Sequence, residues 1–198
     1  MFTVVYTYFG QKERIPGIIQ QGLKTVIVDD CSPNPLGPID GIKVLRIIDD
    51  IKWNQPGARN LGFHVSDGWI ICSDIDHLVT KENIRELEKI NLEKGTVYYL
   101  GREDKESINV YLIHKDDFNR IGGYDEDFCG SYGYDDGYFY LKCEKFLKIV
   151  KLSKIKVKVF AKESSSIGDR NISRNLKLIK NKEFEETPRL RFKWEYVS

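Results

Sequence analysis

Residues 69–77 read WIICSDIDH. The run 69–72 is apolar and β-favouring, and it stops at Ser73-Asp74. A buried strand therefore ends where two carboxylates spaced i, i+2 begin. The same arrangement occurs earlier, where TVIV at 25–28 runs into Asp29-Asp30 and the CSPNPLGP that follows is a loop. Around these two strand ends, apolar runs alternate with helix-like stretches. Residues 2–8, 43–48, 96–100, 110–114 and 154–160 read as further strands. Residues 14–23, 56–65, 81–93 and 135–146 read as helices, the third with Thr80 as its N-cap. This alternation predicts an α/β domain, a mainly parallel central sheet flanked by helices. Ligands of such sheets sit beyond the carboxyl ends of the strands, where both acidic clusters fall.

A length of 198 residues fits one domain. With 41% hydrophobic and 31% charged residues, the chain has enough apolar matter for a core and is not disordered. The 31 Lys+Arg and 30 Asp+Glu nearly cancel, which argues against a protein built to neutralise nucleic-acid phosphates. No apolar run approaches the roughly 20 residues of a membrane span, and the first residues lack the features of a secretory signal. Cys31, Cys72, Cys129 and Cys143 form no C-x-x-C pair and have no histidine cluster near them. Reduced thiols in a cytoplasm are expected, with peripheral attachment to a membrane left open.

Four segments carry chemistry. Asp74 and Asp76 at a strand end can converge on Mn²⁺ or Mg²⁺, whose remaining positions water and substrate phosphates fill; an Asx-turn with a helix cap is the structural alternative. Adjacent Asp29 and Asp30 are electrostatically awkward without a partner, and one of them could accept a hydrogen bond from a base or ribose. In NQPGARNLGF, residues 54–63, Arg59 lies on a helix leading into the D-x-D strand, where it could neutralise a nucleotide or fix Asp30. In GGYDEDFCGSYGYDDGYFYLK, residues 122–142, glycines suit a loop that approaches a ligand closely, and Asp135-Asp136 open a helix.

In this order, the four segments resemble the family-2 glycosyltransferases of the GT-A fold, over roughly residues 2–160. The matching pieces are residues 4–13, VDDCS at 28–32, PGARNLG at 56–62 and Asp74–Asp76. The fourth segment is similar to the C-terminal motif of the β4-galactosyltransferases and polypeptide N-acetylgalactosaminyltransferases. The resemblance implies a single Rossmann-like GT-A domain at 1–160, followed by a lid and tail at 161–198. It implies a nucleotide-sugar donor, UDP by analogy, and a glycan or other hydroxyl acceptor. Thr7, Phe9, Asp30 and Arg59 would line the nucleotide pocket, Asp74 would face ribose or metal, and Asp76 would hold the metal. Asp136, or Asp135, would be the general base of an inverting transfer.

The chain departs from that pattern. Tyr132 replaces the usual Trp, Tyr138 stands where a further acidic residue is common, and no histidine follows the base motif. His77 adjoins the D-x-D, and an exposed turn residue is one reading of it. Adjacent helix positions lie about 100° apart, so Asp135 and Asp136 are not expected to point into one site. Two rivals remain: a phosphatase of the haloacid dehalogenase type with Asp74 as nucleophile, and a non-catalytic nucleotide- or sugar-binding module.

Overall fold

The computed structural model describes residues 2–104, 108–160, 170–184 and 189–198. Nine strands form one mixed sheet in the order β5-β8-β6-β7-β4-β1-β2-β3-β9. The strands are β1 (Phe2–Tyr8), β2 (Thr25–Asp29), β3 (Ile42–Ile47), β4 (Trp69–Asp74), β5 (His77–Leu78), β6 (Thr96–Arg102), β7 (Tyr111–His114), β8 (Lys148–Val159) and β9 (Trp194–Tyr196). The helices are α1 (Ile15–Gln21), α2 (Gln55–His64), α3 (Lys81–Glu88), α4 (Lys115–Arg120), α5 (Asp135–Phe146) and α6 (Ser173–Asn181).

The centre is parallel, as expected: β1 pairs with β2 and β4, and β2 with β3. β1, β2 and β4 are largely buried on both faces and read as mostly apolar runs, whereas β3 carries Lys43 and Arg46. Alternate residues divide between two cores. Val5, Val28, Leu45 and Ile70 face α2 and α5 with Phe63 and Phe139, while Val4, Ile27, Val44 and Ile71 face the opposite layer with Ile18 and Leu87. The flanks are mixed: β6 and β8 are parallel, while the other pairs there are antiparallel. β7 runs against β4 and β6, and β9 closes the edge against β3.

The chain builds from β1 outward to β3 on one side, then crosses back to β4 on the other. The carboxyl ends of β1 and β4 therefore flank a topological switch point, the place where open α/β sheets bind ligands. Register fixes the neighbours there: Thr7 pairs with Asp74, and Tyr8 with Asp29.

α2 lies close on this sheet because Gly62 packs against Val5, where a Cβ would collide. Thr80 caps α3 through a capping box with Asn83. β8 is longer than the one-sided strand expected at 154–160, with an irregularity opposite Leu100/Gly101. No helix among the described residues is long and apolar enough to cross a membrane.

Candidate active site

The D-x-D segment leaves β4 at Asp74 and turns into β5. The turn is pinned on both sides: Ile75 N–H donates to Thr7 O at 3.2 Å, and Phe160 N–H donates to Asp76 O at 3.0 Å. His77 pairs with Val159 across β5–β8. This pairing turns the histidine inward, so it is 1% exposed and is not an exposed turn residue. Neither ring nitrogen has a hydrogen-bond partner among the described residues. Burial lowers its pKa, although Asp74 and Asp76 pull the other way, and the net shift favours the neutral imidazole.

Asp74, Asp76 and His77 bring ligand atoms within 4.8 Å of one another. His77 Nδ1 lies 4.0 Å from Asp76 Oδ1. The Asp76 side chain is about half exposed. A buried imidazole with both nitrogens unsatisfied needs a partner, and a divalent cation is one that a neutral imidazole and two carboxylates fit. The donor set therefore suits the expected metal, with His77 the candidate for the histidine absent after the base motif.

Asp74 is the more enclosed carboxylate. Its Oδ1 accepts from Arg59 Nη2 at 2.7 Å and from Gln55 Nε2, and its Oδ2 accepts from Asn109 Nδ2 at 3.1 Å. Burial alone would raise its pKa, but Arg59, His77 and these bonds outweigh burial and hold it below the usual range. These bonds orient the Asp74 carboxylate at the end of β4.

Arg59 does not reach an open pocket, and it does not fix Asp30. Its side chain is fully buried. The guanidinium lies 4.8 Å from the centre of the Tyr124 ring. Nη2 binds Asp74, while Nη1 contacts Asp136 Oδ1 and, at 3.4 Å, Asp135 Oδ2. Asp135 and Asp136 thus converge on one cation, contrary to the helical-wheel expectation. Side chains tilt toward a helix's N-terminus, so the first two residues of α5 can both fold back over its end. Tyr124 OH also donates to Asp136 Oδ1 at 3.2 Å. Asp136 Oδ2 has only a marginal 3.5 Å contact with Arg59 Nη2. Burial raises both carboxyls, Asp136 to about 7, with Arg59 opposing the shift in each.

The neighbouring Asn60 holds the loop that presents these groups. It donates to Tyr124 O and Glu126 Oε1 at 3.0 and 2.9 Å, and it accepts from Tyr124 N–H at 2.9 Å. Gly123 in that loop has φ +56°, and Phe118 and Asn60 crowd the space a Cβ would fill. Only glycine fits there without strain and collision.

On the other side of the switch point, Asp29 is structural. It accepts from Ser32 N–H, Leu36 N–H and Arg46 Nη1 at 2.9, 2.9 and 3.0 Å. Asp30 accepts from Asn54 Nδ2 at 3.1 Å, and burial raises its pKa to about 7. Thr7 is buried at the end of β1, and Phe9 just beyond it is 50% exposed.

The lid and tail expected at 161–198 carry the cations Lys162, Arg170 and Arg174. Lys162 lies outside the described residues. Arg170 sits over the Tyr132 ring at 5.5 Å, and Arg174 donates to the carbonyls of Asp127 and Cys129, each at 3.0 Å. The fully buried Asn175 donates to the carbonyls of Phe128, Ser131 and Gly133, so α6 is clasped to the loop before α5. Gln55, Asn60, His77 and Asn109 were not picked out as contributors from the sequence, although His77 adjoined a marked motif.

No protein-family profile matches the sequence. No curated protein matches it either. Solved structures do resemble it. TarS of S. aureus, residues 1–349, in complex with UDP-GlcNAc, superposes with a TM-score of 0.68 at 13% identity, over 85% of this chain and 60% of that one. The mannosyltransferase PcManGT of Pyrobaculum calidifontis, in complex with GDP-Man and Mn²⁺, gives 0.64 at 13%, over 92% and 65%. The catalytic domain of Drosophila β1,4-galactosyltransferase 7, in complex with xylobiose, gives 0.61 at 12%, over 88% and 77%. The chain thus spans less than two thirds of the first two, and at these identities the likeness is one of fold.

Proposed function

From the GT-A fold, which the chain shares with these glycosyltransferases, we propose that it is a metal-dependent transferase. It moves a sugar from a nucleotide donor to an acceptor hydroxyl with inversion. The observation carrying this reading is the Arg59 bridge: one buried cation joins Asp74, on the metal side, to Asp136, on the side where a base is needed. Asp76, His77 and Asp74 would hold Mn²⁺ or Mg²⁺. The bound ion would neutralise charge developing on the departing diphosphate.

The chain's own groups account for the rest. Asp30 accepts a hydrogen bond from the nucleoside, and Thr7 and Phe9 flank it. Asp136 Oδ1 is held by Arg59 and Tyr124, which leaves Oδ2 for the acceptor. The acceptor oxygen bonds to the anomeric carbon as the bond from that carbon to the diphosphate oxygen breaks. The bonding pair leaves with the diphosphate, and the acceptor proton passes to Asp136 Oδ2. Asp135 orients the acceptor. UDP is favoured over GDP by analogy alone.

Thermal shift with UDP or GDP in the presence of Mn²⁺ or Mg²⁺ tests donor binding, since a ligand of the native state stabilises it. The reading expects a rise in Tm that needs both nucleotide and metal and is absent in Asp76→Asn. A metal-independent rise equal in the mutant would contradict it.

A further inference from the structure

One large concavity has no part in the donor and base sites. A cleft of about 670 Å³ lies between the 52–53 loop, the 130–132 loop and one face of α6. Lys52, Arg174 and Lys177 line it with Trp53 and Tyr132, and none of its lining residues is acidic. In a chain with 31 basic and 30 acidic residues, a cleft whose lining holds basic but no acidic side chains is suited to an anion.

The cleft is built rather than incidental. The Trp53 and Tyr132 rings are 4.7 Å apart and tilted by 55°, forming an aromatic wall. Gly130 N–H donates to Lys52 O at 2.7 Å and ties the two loops together. Arg174 is fixed by the carbonyls of Asp127 and Cys129, while Lys177 is exposed and has no ion-pair partner among the described residues. Trp53 immediately precedes Asn54 and Gln55, which hold Asp30 and Asp74. Tyr132 lies shortly before Asp135. Trp53 and Tyr132 thus tie the cleft, along the chain, to residues of the carboxylate centre.

We propose that this cleft binds an anionic saccharide, its ring against Trp53 and Tyr132 and its phosphate or carboxylate at Lys177. Aromatic faces take the apolar face of a sugar ring, and ammonium groups take the anion. The acceptor role of this saccharide rests on the transferase reading above; the binding chemistry does not.

Saturation-transfer NMR with glucose 6-phosphate, glucuronate, glucose and inorganic phosphate tests it. Glucose 6-phosphate or glucuronate should bind about tenfold more tightly than glucose, as a charge-assisted hydrogen bond warrants, with saturation reaching the ring protons. Whichever of the two binds more tightly identifies the anion. Lys177→Glu should weaken that binding about tenfold, again the scale of one charge-assisted bond. Trp53→Ala should remove saturation of the ring protons. The Tm rise given by UDP with Mn²⁺ should stay unchanged in Lys177→Glu, which lies on an exposed helix face.

Equal binding of glucose and the charged sugars, or no effect of Lys177→Glu, overturns the proposal. So does phosphate competing while sugar protons receive no saturation. Parallel loss of UDP binding in Lys177→Glu would make the cleft part of the donor site and also overturns it. Anionic sugar binding without any nucleotide binding upholds the cleft and counts against the transferase reading alone.

Discussion

Arg59 Nη2 lies 2.7 Å from Asp74 Oδ1, and the arginine side chain is fully buried. The same guanidinium contacts Asp135 and Asp136 at the start of α5. One cation from α2 therefore joins the end of β4 to the first turn of a helix far along the chain. A buried charge is tolerable only with such partners, and each partner depends on it in return.

Arg59→Met should destabilise the protein by about 3–5 kcal/mol, the scale for breaking a buried pair while leaving its carboxylates behind. Urea unfolding measures it. A loss below about 1 kcal/mol, the size of an exposed ion pair, would mean the carboxylates do not depend on Arg59.

His77→Ala should weaken Mn²⁺-dependent nucleotide binding at least as much as loss of an outer-shell partner does, roughly 10–100-fold. Nucleotide affinity without metal should not change. Calorimetry at matched Mn²⁺ concentrations separates the two. Unchanged Mn²⁺ dependence would return His77 to the core as an unusual buried imidazole.

Much of the fold was legible because it rests on local pattern. The runs ending at Asp29 and Asp74 are strands, Thr80 caps α3, and PGARNLG is the helix that packs on β1. Strand direction was not legible: YLIH at 111–114 looks like any buried run, yet it is antiparallel to β4. Trp194–Tyr196 joins β3 from far along the chain, which no periodicity reveals. The site divides in the same way. Asp74 and Asp76 announce themselves by spacing, whereas Arg59 reaches Asp136 across 77 residues and Asn109 reaches Asp74 across 35. The inward turn of His77 depends on β8, which lies far beyond it in sequence.

The base has a pH signature. Burial raises Asp136 to about 7, and a general base works only when ionised. Transfer measured as kcat/KM should therefore fall as pH drops through about 7 and level off above it. Asp136→Asn should lose on the order of 10²–10⁴-fold in kcat and lose this acid limb, with donor binding kept. If Asp135→Asn gives that phenotype and Asp136→Asn does not, the base is the other carboxylate.

Asp30→Ala should raise the donor KM more than it lowers kcat, because nucleoside contacts are equally strong in ground and transition states. Steady-state kinetics in varied donor checks this. A normal KM with a collapsed kcat would place Asp30 in the chemistry.

Release of nucleoside diphosphate from a panel of UDP- and GDP-sugars, with glucose 6-phosphate and glucuronate as acceptors and with Mn²⁺ or EDTA, tests the central claim most directly. The account predicts release from at least one donor, accompanied by a glycosylated product of inverted anomeric configuration. EDTA and Asp76→Asn should each abolish both. Nucleotide binding with no release from any donor, or release that survives both EDTA and Asp76→Asn, would contradict it.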